Sequence, residues 1–475
     1  HFVASSKSLT FAALNTQFCN EERFQIMRLT APTKAFSDGF SENDDIFNRK
    51  QLHDIIMRVA SNAPDKSLVL ALDDQWGNGK TSFVKMMSSE IRKSHAEQFD
   101  VIYFDAFEND YQSDPFVALT SKIYALVNKE NGKLKNLGQE LLSIGKKLGA
   151  SFAINGAKFA VSTLTGGLVS GSAIEKAGDA ISDSLSSPIE AFIEEKIKTG
   201  ENELATIDSF KALLTKIHKE SERKIIFIID ELDRARPDFA LDLLEKIKHI
   251  FSVEGFVFLL VINRAQFEKS IECRYGNINS RLYLNKFIHY WFTLPKKNLF
   301  AEGCLVGYER STLTHYLLNI DHENLLSRNG SLVKTLAYLL EINNCSLREA
   351  ERCYATFAVM KNPFEISNYR HEILQVAIGF VAFLKVHNQE LLVDIMYKRI
   401  PLEEVLTQMK IIDEKSQEVT EVYYIMMLLK YHYLTDKELS SVEVKQEYAF
   451  MTGIANRRLR WLEAMFANVQ GFTVN

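Results

Sequence analysis

The chain has 475 residues, 46% of them hydrophobic, enough to bury a sizeable core and to form two or three domains. Acids outnumber Lys and Arg by 61 to 56, so a net charge of −5 gives no reason to expect nucleic-acid binding through bulk electrostatics. Five cysteines (Cys19, Cys273, Cys304, Cys345 and Cys353) are odd in number and lack metal-ligand spacing, which argues against a disulfide framework and for reduced thiols in the cytoplasm.

Residues 1–44 read as an N-terminal extension, partly disordered. Position 1 is His, Met27 opens a more ordinary stretch, and residues 1–26 carry no basic-then-apolar signal pattern. Leu52 to Ala60 has the spacing of a short amphipathic helix. The apolar run Leu68 to Leu72 follows as a buried strand and delivers the turn Asp73-Asp74-Gln75-Trp76-Gly77-Asn78-Gly79-Lys80-Thr81.

That turn has the chemistry of a phosphate grip. A helix expected from Thr81 to about Lys93 leaves free backbone N–H groups aimed at an anion. Gly77 and Gly79 let the backbone fold around phosphate oxygens, where a Cβ would intrude. Lys80 supplies a point charge for the terminal phosphates, and the Thr81 hydroxyl suits Mg²⁺. Trp76, Gly77, Asn78, Gly79, Lys80, Thr81 and Ser82 are therefore the expected nucleotide-binding segment. Asp74 departs from the pattern, standing where its first Gly belongs. An acid there is tolerated if its side chain points away from the phosphates and weakens binding if it points inward.

Val101 to Phe104 is the second strand, and an insertion of over a hundred residues separates it from the third. Inside it, about 130–200 reads as a helical, Gly-rich unit: Ser143 to Gly178 holds seven of the 21 glycines, and Phe159 to Ile174 carries no charge. A membrane span needs about 20 predominantly apolar residues, and the serines, threonines and glycines here dilute the run. A soluble helical insertion or partner surface is the favoured expectation for 143–178, with membrane contact the alternative.

Lys224 to Ile229 reads as a central parallel strand buried on both faces, ending in Asp230-Glu231-Leu232-Asp233-Arg234. Acids at that tip sit where ligands bind in open α/β sheets. Asp230 is placed to hold Mg²⁺ and Glu231 to polarise an attacking water. Phe256 to Ile262 is the fourth strand, ending at Asn263, and Tyr290 to Leu294 the fifth. Strands alternating with helices predict an α/β fold, a three-layer parallel-sheet core spanning 45–300. From 301 to 475 the periodicity is helical, giving a lid and an all-α C-terminal region over Leu313–Leu318, Leu332–Leu340, Leu347–Met360, Ile373–Lys385, Leu402–Met409 and Val422–Tyr433. The basic cluster Arg457-Arg458-Leu459-Arg460-Trp461 is read first as an ordinary charged helix face.

Several separate motifs resemble one family in its own order: Gln75 to Ser82, Tyr103 to Tyr111, Ile229 to Arg234, Leu244 to Phe251, Tyr275-Gly276 and Tyr283 to Phe287. Together they resemble the KAP P-loop NTPases over roughly 45–355. The resemblance implies an ATPase core of the additional-strand type, used in membrane signalling or in prokaryotic defence against mobile elements. It implies ATP as the nucleotide and transmembrane helices as a frequent content of the insertion. Asn263 stands where relatives often carry an acid, and an Asn there can still orient water or contact a γ-phosphate. Arg348, in Ser346-Leu347-Arg348-Glu349, looks like the lid-helix arginine of related ATPases, and Arg281 like a finger toward a neighbouring subunit's nucleotide.

Three functional expectations follow. The first is a Mg-ATP-hydrolysing switch that drives a conformational or assembly change, with Glu231, Lys80, Asn263, Arg348 and Arg281 as its catalytic set. It would work as a homo-oligomer or with a partner protein, through the insertion and the C-terminal helices, in defence against phage or plasmids. The second is a non-hydrolysing nucleotide-dependent scaffold or membrane-associated signalling protein, for which Asp74 is the best argument. The third is a nucleic-acid-stimulated ATPase, supported by the Arg457 cluster alone and weakened by the acidic charge. The expected location is cytoplasmic, with a peripheral seat on the inner face of a membrane as the variant.

Overall fold

The computed structural model describes residues 35–471 apart from 65, 113, 165–185, 302–303, 306, 309–310, 322–325, 327–329, 361–371, 413–418, 442–445 and 452–460; at 150–203, 300–301, 304–305, 450 and 461 it describes the backbone alone. Five strands, β1 (Leu68–Asp73), β2 (Phe99–Asp105), β3 (Lys224–Asp230), β4 (Phe256–Ile262) and β5 (Tyr290–Thr293), form one sheet in the order β2-β3-β4-β1-β5. Every pairing in it is parallel. β4 lies between β1 and β3, so an extra strand separates the phosphate-gripping turn from the acids, as the additional-strand resemblance implied.

Side-chain alternation builds the three layers. Leu68, Leu70 and Leu72 of β1, Ile226 and Ile228 of β3, and Val257, Leu259 and Val261 of β4 face one side. There they pack on α1 (Lys50–Ser61) and α2 (Lys80–Ser94) through Ile56, Phe83, Val84, Met87 and Ile91. The opposite registers, Val69, Ala71, Phe227, Ile229, Phe256 and Phe258, meet the other helical layer. That layer comprises α4 (Pro115–Val127), the α5 and α6 helices of the insertion (Lys133–Leu164 and Ser186–Ser221), α7 (Pro237–His249) and α8 (Arg264–Tyr275), after a four-residue α3 (Ala106–Asn109). Apolar side chains on both faces explain why β3 and β4 read as unbroken hydrophobic runs.

The chain then passes α9 (Ser280–Leu284) and β5 and reaches a small antiparallel hairpin of β6 (Phe300–Ala301) and β7 (Cys304–Leu305), which the sequence does not announce. A second core follows, built from α10 (Thr312–Ile320), α11 (Gly330–Ile342), α12 (Leu347–Met360), α13 (Glu372–His387), α14 (Gln389–Met396), α15 (Leu402–Gln408), α16 (Thr420–Tyr433) and α17 (Trp461–Ala467). α13 is its axis: every residue from Ile373 to Lys385 is buried. The expected helices are all present, with α14 and α17 additions.

The insertion is helical, yet most of its Gly-rich stretch lies outside what can be described, since 165–178 is not described and 150–164 is backbone alone. Among the described residues no helix is long and apolar enough to cross a membrane. Residues 1–34 of the 1–44 extension and the Arg457, Arg458 and Arg460 cluster also lie outside the described residues.

Candidate nucleotide-binding site

β1 stops at Asp73, and residues 74–79 turn the chain into α2, whose first residue is Lys80. Gly77 and Gly79 both hold φ at +85°, a left-handed conformation in which a side chain is strained. A Cβ at Gly77 would lie 2.6 Å from Cβ of Arg348, and one at Gly79 would lie 3.1 Å from Nη1 of Arg49. Backbone conformation demands glycine at both, and at Gly77 space does as well.

Lys80 is buried, and its Nζ donates to the carbonyls of Asp74 at 2.6 Å and Gln75 at 3.1 Å. The ammonium is thus parked on the loop's own oxygens, and burial lowers its pKa despite the acids around it. Asp74 points into the loop. Its Oδ1 accepts from the Gln75 N–H at 2.7 Å, from Asn78 Nδ2 at 2.6 Å and from Lys296 Nζ at 2.8 Å. The carboxylate braces the turn from behind, so its replacement of the pattern's first Gly puts no negative side chain into the cleft.

The tip of β3 supplies the acids. Asp230 is 1% exposed; Tyr103 donates its hydroxyl to Oδ2 at 2.9 Å and the Glu231 N–H donates to Oδ1 at 2.9 Å. Glu231 adopts φ of +57°, strained for a side chain, which turns its carboxylate toward α2. The Thr81 hydroxyl donates to Glu231 Oε1 at 3.4 Å, while Oε2 pairs with Arg234 Nε at 2.7 Å. Burial raises the pKa of both acids; for Glu231 the Arg234 guanidinium opposes the rise. Thr81, Asp230 and Glu231 thus bring three oxygen donors to one place, the hard donor set that suits Mg²⁺.

These groups line one cavity of about 410 Å³, with Trp76, Gly77, Gly79, Lys80, Thr81, Ser82, Asp230, Glu231, Asp233, Arg234 and Arg348 on its wall. Trp76 donates its indole N–H to Asp233 Oδ2, and Arg234 lies 5.5 Å from the Trp76 ring centroid. Arg348 enters from α12, whose start is clasped to the loop. The Arg348 N–H donates to the Gly77 carbonyl at 3.2 Å, and the Leu347 N–H to Asn78 Oδ1 at 3.3 Å. Asn78 therefore links the loop to the start of α12, and it does not line the cavity.

Two expected residues stand elsewhere. Asn263 sits at the tip of β4, between the loop and the acids, where its Oδ1 caps α8 by accepting from the Gln266 N–H at 3.4 Å. It does not line the cavity. Arg281 is exposed on α9 and does not line it either.

Sequence reasoning missed Arg49. It is 2% exposed and lines the cavity; its guanidinium lies 4.5 Å from the Phe47 ring centroid. Its Nε and Nη2 find no hydrogen-bond partner among the described residues, and burial lowers its pKa to about 10. Phe36, Asp44 and Asp45, at the end of the extension and the start of the core, close the same wall. The one available signal was local: Asp45 caps α1, accepting from the Arg49 N–H at 2.7 Å and the Lys50 N–H at 2.9 Å.

Two solved structures from Aeropyrum pernix match the chain at low identity. The ORC2 protein in ADPNP–ADP complexes is 12% identical, with a TM-score of 0.34 over 81% of this chain and 86% of that one. The ORC1 protein in complex with DNA is 13% identical, with a TM-score of 0.33 over 84% and 81%. No curated protein matches the chain. Residues 48–361, which hold the loop, the acids, the whole sheet and α12, match the KAP family P-loop domain, and the chain belongs to that family of P-loop NTPases.

Proposed function

We propose that the chain binds ATP with Mg²⁺ in this cleft and hydrolyses it, using the cycle to drive a conformational or assembly switch. The observation that carries the reading is the convergence of Lys80, Thr81, Asp230, Glu231 and Arg348 on one cavity from three separate stretches of chain. Thr81 and Asp230 would hold Mg²⁺, which when bound neutralises phosphate charge. Lys80 would leave the Asp74 and Gln75 carbonyls for the terminal phosphates, joined by the unpaired N–H groups of the first turn of α2. Glu231 would orient the attacking water, and Arg348 would sense the γ-phosphate from the lid. Calorimetric titration tests the binding half: ATP should bind only with Mg²⁺, and Lys80→Ala should abolish the heat. Unchanged binding by Lys80→Ala would move the nucleotide out of this cleft.

The pairing of Glu231 with Arg234 at 2.7 Å favours a second reading, a switch that binds ATP and turns it over only when a partner draws Arg234 away. Arg234→Ala separates the two readings. Faster basal turnover supports the restrained switch, and unchanged or slower turnover opposes it.

The family resemblance extends the proposal to prokaryotic defence, with exposed Arg281 reaching a neighbouring subunit's nucleotide. Plaque counts on hosts carrying the native gene or Lys80→Ala test the first; equal counts would remove the defence reading. Turnover that rises with protein concentration in the native chain but not in Arg281→Ala tests the second. Equal concentration dependence in both would exclude it.

A further inference from the structure

Outside the nucleotide cleft, α12 and α13 bring three different metal-ligating side chains together. Cys345 precedes α12, Glu349 lies in its first turn, and His387 ends α13. One ligand atom of each lies within 4.8 Å of the other two. Cys345 Sγ is 3.4 Å from His387 Nδ1, and Nδ1 is 3.5 Å from Glu349 Oε1.

Those spacings carry information. An N–H···O hydrogen bond between His387 and Glu349 would be expected near 2.9 Å, and this pair is looser. In a Zn²⁺ tetrahedron with bonds of ordinary length the N···O edge is about 3.3 Å and the N···S edge about 3.5–3.6 Å. Each observed distance lies within a few tenths of an ångström of its edge, so small side-chain shifts would seat an ion.

The cluster is also held in place. Glu349 divides its oxygens: Oε2 accepts from the Ser346 N–H at 2.7 Å and from the Ser346 hydroxyl at 2.9 Å. Oε1 is left to face His387. The His387 ring stacks on Phe383 with centroids 4.9 Å apart and planes 25° apart, which restrains the plane of the imidazole. Such supporting contacts orient ligands in metal sites. Cys345 is partly buried, whereas the Glu349 and His387 side chains are about a third exposed, so an ion has a route in.

We propose that Cys345, Glu349 and His387 form a site for a divalent ion of the Zn²⁺ class, with its fourth position open to water. A thiolate, an imidazole and a carboxylate suit a borderline ion better than Mg²⁺ or Ca²⁺, which take oxygen. Binding displaces the Cys345 thiol proton to solvent, and thiolate plus carboxylate balance the ion's two charges. The ion would fasten the start of α12 to the end of α13. Leu347 and Arg348, the residues that clasp the phosphate loop, lie between Cys345 and Glu349. The site is invisible in cysteine spacing because two of its three ligands are not cysteines and His387 comes from another helix.

Cobalt reports the site independently of nucleotide turnover. The full chain, stripped with chelator and dialysed, is titrated with Co²⁺ while the near-ultraviolet thiolate-to-cobalt band is followed. The expected result is a band that saturates at one equivalent per chain and is displaced by Zn²⁺. It should be absent in Cys345→Ser and need about tenfold or more Co²⁺ in His387→Gln, both with native far-ultraviolet circular dichroism. No band in the native chain at excess Co²⁺, or a band of equal amplitude in Cys345→Ser, overturns the proposal.

Discussion

Lys80, Arg49, Asp230 and Glu231 bring charge to the floor and wall of one cleft, and burial acts on each in the direction that disfavours its ionised form. The carboxyls of Asp230 and Glu231 therefore hold protons to higher pH in the folded chain than in the unfolded one. Their favourable contribution is complete below the unfolded carboxylate range and is lost as pH rises through the raised folded values. Asp230→Asn should accordingly raise the Tm of the nucleotide-free protein at neutral pH while removing Mg²⁺-dependent ATP binding. Differential scanning calorimetry with and without Mg-ATP checks both halves; a lower Tm would show that the Tyr103 hydrogen bond outweighs the buried charge. If Glu231 is the base, the acid limb of kcat/KM should lie above the ordinary glutamate range and vanish in Glu231→Gln. Arg49 extends the argument. A buried guanidinium with two unpaired donors is costly, and we propose that bound ATP, by drawing Arg49 toward the cavity it lines, supplies acceptors that the empty protein lacks. Arg49→Met should weaken ATP binding by roughly 10- to 100-fold, the worth of a charge-assisted hydrogen bond, while stabilising the empty protein. Tight ATP binding by Arg49→Met would leave the arginine a purely structural role.

The loop, the strand tips and the lid meet through backbone, and that is where sequence and structure part company. β1, β3 and β4 were legible because strands buried on both faces read as uninterrupted apolar runs. Gly77, Gly79, Lys80 and the Asp230-Glu231 pair were legible because phosphate and Mg²⁺ demand those residue types at fixed offsets. Arg348 was legible as a lid arginine through the resemblance; its clasp on Gly77 was not, since that contact joins residues 271 positions apart through a backbone N–H. Asn263 was found at the right strand tip, but a helix start directly behind a strand also needs an acceptor, and α8 takes it. Asp74 looked like a defect in the motif because its partners Asn78 and Lys296 cannot be paired with it by inspection. Gly77→Ala tests the clasp itself. The left-handed φ costs about 1–2 kcal/mol, and the added methyl must push Arg348 aside. Thermal melting should show that loss, together with weaker ATP binding; a Tm equal to the native one would mean that lid and loop separate freely.

Among the described residues, the sheet with an apolar core on each face joins an all-α core around α13, and the cleft lies where α12 reaches from one part to the other. Nucleotide held on both sides of that seam should stabilise the whole chain by about 2.7 kcal/mol at a hundredfold excess over Kd. The measurement that bears most directly on this account is Mg²⁺-dependent phosphate release from ATP and GTP, run on the native chain beside Lys80→Ala and Glu231→Gln. Release from ATP should need Mg²⁺ and be lost in both variants, by roughly 10²–10⁴-fold in Glu231→Gln, with binding kept in Glu231→Gln alone. Turnover at the native rate in Glu231→Gln, or tight ATP binding in Lys80→Ala, would contradict it.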